Sequence, residues 1–446
     1  MGHETDADDE QRVRELYDEL YPICRSITGP GLRESLGILG EEFPLEVEGV
    51  PSGTDVFDWT IPDEWHIREA RLVGPDDEVY ADFEDHNLSV VNYSAPVDRD
   101  VSLSELQSHL YSSEGVPEAI PYVTSYYERH WGFCVPETVR KSMPEGEYHA
   151  YVDSEFVDGE LNYGHALLDG ETDDEVLLSS YLCHPSMANN ELSGPLVMAL
   201  LYDRIADWDD RRYTYRFVLC PETIGSLAYL HRYGDHLRER VVGGLVLTCL
   251  GGPEPNLSYK RSREDDALLD RLVEQRARRG EPVETRPFAE MFGSDERQYC
   301  SAGFDLPVGQ VARTVYGEYD EYHTSADDRE FVELESLVES ADWIADRLWE
   351  FEHAGRQRNL EPYGEPMLSK HDLFPTVSDW SDQTRQLTGV EELSEEQFLK
   401  RVLLVLQYSD GDHDLVEIAD ERDCTVEELV PIVRRLYDEQ LLEPLG

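Results

Sequence analysis

At 446 residues and 40% hydrophobic content, the chain has the size and composition of a folded protein of about two or three domains. It carries 96 Asp and Glu against 38 Lys and Arg, a formal net charge of -58. The acid runs along the whole length, which excludes an acidic tail or a single patch for a cationic partner.

Dispersed acid with only four lysines (Lys141, Lys260, Lys370, Lys400) fits a protein adapted to concentrated salt, where repulsion is screened within about 3 Å at 1 M. Seven scattered cysteines without a C-x-x-C pair exclude a disulfide framework and a zinc ribbon. The polar start, Met1-Gly2-His3-Glu4-Thr5-Asp6, has no apolar core of a signal peptide, and no run nears the roughly 18 apolar residues of a membrane span. A cytoplasmic protein without membrane attachment is expected.

In chain order, Val13, Leu16, Tyr17 and Leu20 take the i, i+3, i+4, i+7 spacing of one helical face, so residues 10–42 open as helix, with a turn around Gly29-Pro30-Gly31. Residues 55–144 change texture. Strand-like pieces at 78–83 and 88–93 and many aromatics (Phe57, Trp59, Trp65, Tyr122, Tyr126, Tyr127, Trp131, Phe133) predict an inserted β-rich domain with those aromatics as its core. From about 145, apolar strand candidates at 148–154, 175–180, 215–220, 244–250 and 306–311 alternate with helical stretches at 195–206, 225–237, 265–279 and 332–353. That rhythm predicts an α/β fold with a mostly parallel sheet covered on both faces.

Residues 354–385, with Pro362, Gly364, Pro366 and Pro375, read as a linker. The tail then gives a helix at 397–408, an Asp410-Gly411 turn, a short helix at 414–421 and a helix opened by Thr425, whose capping box is completed by Glu428. These parts resemble a winged helix-turn-helix. The expected domains are 1–54 with 145–355, the insertion 55–144, and the winged helix 386–446.

Three segments carry ionisable residues where a doubly wound sheet holds its ligands, beyond the carboxyl ends of strands. Ser179-Ser180-Tyr181-Leu182-Cys183-His184 ends a strand in a histidine, and the polar loop that follows leads through Asn189-Asn190-Glu191-Leu192 to Ser193-Gly194 at a helix start. Phe217-Val218-Leu219-Cys220-Pro221-Glu222 ends another strand in a glutamate, which could also merely cap the next helix. Tyr319-Asp320-Glu321-Tyr322-His323-Thr324 sets a second histidine in an acidic loop before the last long helix. Two neutral imidazoles and a carboxylate are what zinc requires, and a glutamate beside its water is a candidate general base. Arg25, Arg33 and Tyr259-Lys260-Arg261 are candidates for an anionic substrate group, and Asp327 for orienting an imidazole or capping a helix.

This pattern resembles the zinc aminopeptidase superfamily. It is closer still to aminopeptidase-like proteins associated with polysaccharide biosynthesis, in which an exopeptidase-like domain is interrupted by an insertion and followed by a winged helix. The matching signatures include Tyr21-Pro22-Ile23-Cys24-Arg25-Ser26-Ile27-Thr28-Gly29, Val56-Phe57-Asp58-Trp59-Thr60, Thr124-Ser125-Tyr126-Tyr127 and Trp131-Gly132-Phe133-Cys134. Further along they are Cys183-His184-Pro185-Ser186, Pro221-Glu222-Thr223-Ile224-Gly225-Ser226, Gly293-Ser294-Asp295-Glu296-Arg297-Gln298-Tyr299 and Glu321-Tyr322-His323-Thr324-Ser325. The resemblance covers almost the whole chain. It implies a three-layer αβα zinc-exopeptidase-like domain, with His184, His323 and the position of Asn190 at the metal. It further implies Glu222 as base or ligand, and Asp295, Glu296, Arg297, Tyr322 and Arg25 toward substrate.

The departures bear on the chemistry. Di-zinc relatives use an aspartate to bridge the metals where this chain has Asn190, a second consecutive glutamate where it has Thr223, and a further aspartate where it has Thr248. An uncharged amide cannot offset two dications. One zinc ion is therefore expected, in a hydrolase of a peptide, aminoacyl or N-acyl amide bond acting on a small peptide-like or aminoacyl-sugar substrate. The rival is a non-catalytic metal- or ligand-binding scaffold. Residues 401–446 hold four basic against twelve acidic residues, so DNA binding is not expected and protein contact or homo-oligomerisation is.

Overall fold

The computed structural model describes residues 7–289, 293–371, 373 and 395–445. Its main sheet runs in the order Glu46–Pro51, Glu160–Leu168, Thr214–Cys220, Glu175–Tyr181, Val241–Leu247, Val308–Ala312, Leu257–Lys260. The four strands from Thr214–Cys220 to Val308–Ala312 run parallel. Glu46–Pro51, Glu160–Leu168 and Leu257–Lys260 pair antiparallel at the flanks. The parallel strands are apolar on both faces, as a sheet sandwiched by helices requires: every residue of Glu175–Tyr181 is buried. Helices Ser193–Ala206 and Ile224–Arg240 follow two of these strands, matching the expected α/β rhythm.

Two helices, Ala7–Leu20 and Pro30–Glu42, occupy the N-terminal stretch. Gly29 between them has φ 108°, and a Cβ there would lie 2.5 Å from the Trp65 carbonyl oxygen, so only glycine fits this turn. The strand expected at 148–154 exists, but Glu147–Val157 pairs antiparallel with Glu64–Val73 and Val97–Ser102 in a separate four-stranded sheet. Ala70, Leu72, Val101, Phe133, Tyr148 and Val152 form its core. The segment at 88–93 is a 3-10 turn, Asn87–Ser89, followed by isolated bridges from Val90 to Phe133 and Asn92 to Thr124, with Tyr93 at φ 72°. Its alternation of apolar residues reflects packing without a continuous partner strand. Strand Glu160–Leu168, adjacent to the parallel core, was not among the predicted elements.

The chain divides into two compact units, residues 1–265 with 286–343, and residues 266–285 with 344–446. In the second, helices Glu395–Tyr408, Leu415–Asp420 and Val426–Asp438 join a three-stranded sheet of Asp410–Asp414, Arg356–Asn359 and Leu442–Pro444. Residues 356–359, read as linker, thus supply a strand of this sheet. The remainder of the expected linker from 374, and the start of the expected domain at 386, lie outside the described residues. Both short helices carry full capping boxes, Asp414 with Glu417 and Thr425 with Glu428. Helix Leu268–Arg278 belongs to this unit, where Gln275 Nε2 donates to Val416 O and Asp420 Oδ1.

Glu64, at the start of the long strand of the four-stranded sheet, is buried and accepts from Arg33 Nη2 (2.6 Å), His66 Nε2 (2.7 Å) and Glu160 N–H (3.3 Å). Burial opposes its charge, but these donors outweigh burial and hold its pKa at about 2. A depressed carboxylate stabilises the fold above its unfolded pKa of about 4.3 and stops doing so as pH falls through the folded value. Glu64→Gln should therefore unfold at lower denaturant than wild type at pH 7, and the gap should close as pH is lowered from about 4.5 toward 2.

Candidate active site

Strands Glu175–Tyr181 and Thr214–Cys220 lie side by side in parallel with Tyr181 opposite Cys220. The ladder continues past both ends, Leu182 N–H donating to Cys220 O at 2.9 Å and Glu222 N–H to Cys183 Sγ at 3.3 Å. His184 and Glu222 are thereby delivered to the same carboxyl edge, with Glu222 Oε2 3.8 Å from His184 Nε2. His323 arrives from the loop after Val308–Ala312 and sets its ring 5.3 Å from that of His184.

That loop is held by the 120–122 segment. Tyr122 N–H donates to His323 O (2.8 Å), Ser325 N–H to Ile120 O (2.8 Å), and Ile120 N–H to Ser325 Oγ (2.9 Å). His323 takes φ 57° there, an uncommon conformation that these bonds over-determine. The Tyr122 ring sits 5.0 Å from His184 and 5.3 Å from His323, and Tyr322 stacks on His323 at 3.9 Å.

A cavity of about 290 Å³ opens on this group, lined by His184, Glu222, His323, Cys183 and Thr223, and by Tyr122, Tyr126, Tyr127, Trp59 and Ile27 among others. A second, also about 290 Å³, shares Glu222 and adds Tyr181, Ser294, Tyr316 and Tyr322. Trp59 and Tyr127 are 39% and 54% exposed and meet edge to face at 5.5 Å, so they form the rim of the site, not the core of the inserted segment. Of the functional surroundings, these aromatics were the part that sequence reasoning passed over. The Thr124-Ser125-Tyr126-Tyr127 signature was the available signal.

His184 Nδ1 donates to Glu191 Oε2 at 2.8 Å, leaving Nε2 toward the cavity. Burial disfavours a charge on this ring, but Glu191 and Glu222 outweigh it and raise its pKa. His323 is pushed the other way: burial, then His184, lowers it to about 3, and its buried Nε2 has no hydrogen-bond partner. Cys183 Sγ lies 3.4 Å from His184 Nδ1, and burial raises its pKa well above normal.

Two neutral-capable imidazoles with free Nε2 atoms beside a half-buried carboxylate fit a single zinc ion. They do not extend to a second. Asn190 Oδ1 accepts from Tyr181 Oη at 3.0 Å, and the same hydroxyl pairs with Thr248 Oγ1 at 2.6 Å, so neutral residues fill the positions where the bridging aspartate and a further ligand aspartate are expected.

The remaining predicted residues sit around this centre. Asp295 is fully buried behind Glu222, and its Oδ1 accepts from Thr223 N–H and Ser226 Oγ at 2.7 Å each. Burial and then Glu222 raise its pKa to about 7. Thr223 adopts φ 64°, strain that the Asp295 bond maintains. Glu296 is buried against Lys260 at 2.7 Å and accepts from Ser294 N–H, away from both cavities. Arg297 is exposed and donates to Ser294 O at 3.2 Å. Arg25, expected to meet a substrate anion, is instead wholly buried and donates to Leu20 O (2.6 Å) and His184 O (3.0 Å) from behind the histidine. Asp327 accepts from Asn189 and Asn190 N–H, fixing the irregular turn Ala188–Leu192.

The fold with this edge is that of an aminopeptidase-like α/β protein carrying a C-terminal winged helix. Residues 14–353 match the family described as Domain of unknown function (DUF4910), residues 356–444 match a winged helix-turn-helix, and the chain belongs to this DUF4910 family. It is 36% identical over 432 residues, 97% of its length and 96% of the relative's, to a Clostridium acetobutylicum protein described as a polysaccharide biosynthesis protein with aminopeptidase-like domain. A crystal structure of a C. acetobutylicum protein described as a peptidase superposes with TM-score 0.85 at 35% identity, covering 98% of both chains. The zinc aminopeptidase of Bacillus subtilis shares the fold, with TM-score 0.56 at 12% identity over 77% of this chain and 94% of that one.

Removing the Tyr181 hydroxyl takes away the donor to the buried Asn190 Oδ1 and the partner of the buried Thr248 hydroxyl, which costs about 1–3 kcal/mol. Tyr181→Phe should lower unfolding free energy by that amount in chemical denaturation at high salt, whereas Tyr127→Phe at the exposed rim should leave it within about 0.5 kcal/mol.

Proposed function

We propose that the protein is a single-zinc hydrolase of an amide bond in a small peptide, aminoacyl or N-acyl substrate, with His184 and His323 holding the metal and Glu222 as general base. The observation that carries this reading is the convergence of the buried, unpartnered Nε2 of His323 and the Nε2 of His184 with Glu222 at one cavity. When bound, zinc supplies positive charge that polarises the scissile carbonyl and its attacking water.

Ser294 Oγ donates to Glu222 Oε1 at 2.8 Å, which turns Oε2 toward the cavity. Glu222 removes a proton from the water as the new C–O bond forms, then returns it to the departing nitrogen as the C–N bond breaks. The Trp59–Tyr127 rim receives the group on one side of that bond, and the Ser294, Tyr316 and Tyr322 cavity receives the other. The names of the clostridial relatives support a peptidase-type activity linked to polysaccharide biosynthesis.

A cytoplasmic, salt-adapted setting agrees with the seven free cysteines and the net charge of -58. Among the described residues no helix is long and apolar enough to cross a membrane. The acidic winged helix is better suited to a protein partner or a second copy than to DNA. The Tyr181–Asn190–Thr248 network favours one rival, a scaffold that kept the fold without the reaction.

Metal analysis and turnover separate these readings. Wild type purified in high salt should carry about one zinc per chain, His184→Ala should lose it, and Glu222→Gln should keep it. Glu222→Gln should also lower kcat on aminoacyl or N-acyl amides about 100- to 10,000-fold. Loss of zinc in Glu222→Gln would make Glu222 a ligand, and a wild type without zinc would leave the scaffold.

A further inference from the structure

Arg25 and Glu191 have no exposed side-chain surface, lie 3.7 Å apart, and line neither cavity at the site. A buried ion pair repays its desolvation only when hydrogen bonds complete both partners. Here Arg25 Nη2 and Glu191 Oε1 have no hydrogen-bond partner, so the pair is poorly built as a stabilising bridge. Apart from a bond from Arg25 Nη1 to Leu20 O, the hydrogen bonds the pair makes converge on His184. Glu191 Oε2 accepts from His184 Nδ1 at 2.8 Å, and Arg25 Nε donates to His184 O at 3.0 Å.

The two come from distant parts of the chain. Arg25 lies between helices Ala7–Leu20 and Pro30–Glu42, where its Nη1 also donates to Leu20 O. Glu191 lies on the single π-helical turn Ala188–Leu192, which Asp327 pins through the N–H groups of Asn189 and Asn190. Such turns recur at functional sites because they re-aim a side chain within a helix.

We propose that Arg25 and Glu191 are positioning residues for His184. Glu191 fixes the proton on Nδ1 so that the Nε2 lone pair faces the cavity, and Arg25 anchors the same residue's carbonyl while supplying the countercharge behind Glu191. A carboxylate behind an imidazole sets its tautomer and direction and raises its basicity as a ligand. The consequence for zinc rests on the metal reading above; the tautomer does not.

The test uses the full chain in metal-free form, reading the imidazole ¹⁵N signals of His184, assigned by their absence in His184→Gln. At a pH where the ring is neutral, wild type should carry the proton on Nδ1 with a bare Nε2. Glu191→Leu and the double variant Arg25→Met/Glu191→Leu should move a large share of it to Nε2, while Glu191→Gln, which keeps an acceptor, should retain the wild-type tautomer. The double variant removes both charges at similar volume and should fold even where Glu191→Leu alone does not. Titrated with Zn²⁺ alone, the double variant should bind about 10- to 100-fold more weakly than wild type.

A purely structural pair predicts a folded double variant with unchanged tautomer and zinc affinity, and that result overturns the proposal, as does a wild-type proton on Nε2. A tautomer that shifts as expected in proteins that bind no zinc at all would uphold the positioning role and overturn the metal reading alone.

Discussion

The arrangement of the site depends on one register. Tyr181 faces Cys220 across two adjacent parallel strands, and a backbone bond from Leu182 to Cys220 and one from Glu222 N–H to the Cys183 sulfur carry the contact beyond both ends. Neighbouring strands lie about 4.8 Å apart, so a histidine three residues past one end and a glutamate two residues past the other are brought close to each other. A slip of one residue would turn His184 to the opposite face of the sheet. The complete burial of Glu175–Tyr181 resists that slip, because no face is free to accept exchanged side chains.

His323 has no such support from its own element, and its backbone conformation is unfavourable. The 120–122 segment compensates with three hydrogen bonds to residues 323–325 and with the Tyr122 ring laid beside both histidines. The same stretch continues into Tyr126 and Tyr127, which line the cavity. This segment is therefore a structural condition for the second imidazole as well as a wall for whatever enters. A change there would disturb histidine geometry and cavity shape together.

The parallel core was readable because its strands are continuous apolar runs separated by amphipathic helices, and His184, Glu222 and His323 were readable because each sits at the end of such a run or before a long helix. The two capping boxes of the second unit follow local rules: the Thr425–Glu428 box was read from the sequence, and the Asp414–Glu417 box obeys the same spacing. Partnership was less legible. Residues 148–154 have the alternation of a strand, but nothing local says whether the partner is Glu64–Val73 or the parallel sheet. Arg25 sits among residues that suggest an available cation, and its burial is decided by Glu191, 166 positions away. Trp59 and Tyr127 look like core by composition, and only their exposure places them at a rim.

The chain has 96 acidic residues, so the neutrality of Asn190 and Thr248 is not a shortage of acid. Pressure toward a charged surface would, if anything, tolerate carboxylates at the mouth of a cavity. The constraint is local: the fully buried Tyr181 hydroxyl needs hydrogen-bond partners, and it finds an amide oxygen to donate to and a hydroxyl to pair with within 3.0 Å. Carboxylates in those places would add two buried negative charges, tolerable only with cations to balance them. With neutral partners the Tyr181 hydroxyl is paired without any ion, and the charge left at the edge, Glu222 beside two imidazoles, offsets half the charge of one dication and none of a second. Positive charge that relatives with more carboxylates could share between two metals would here be concentrated at His184 and His323, which makes the orientation of those two rings the variable on which the site's chemistry turns.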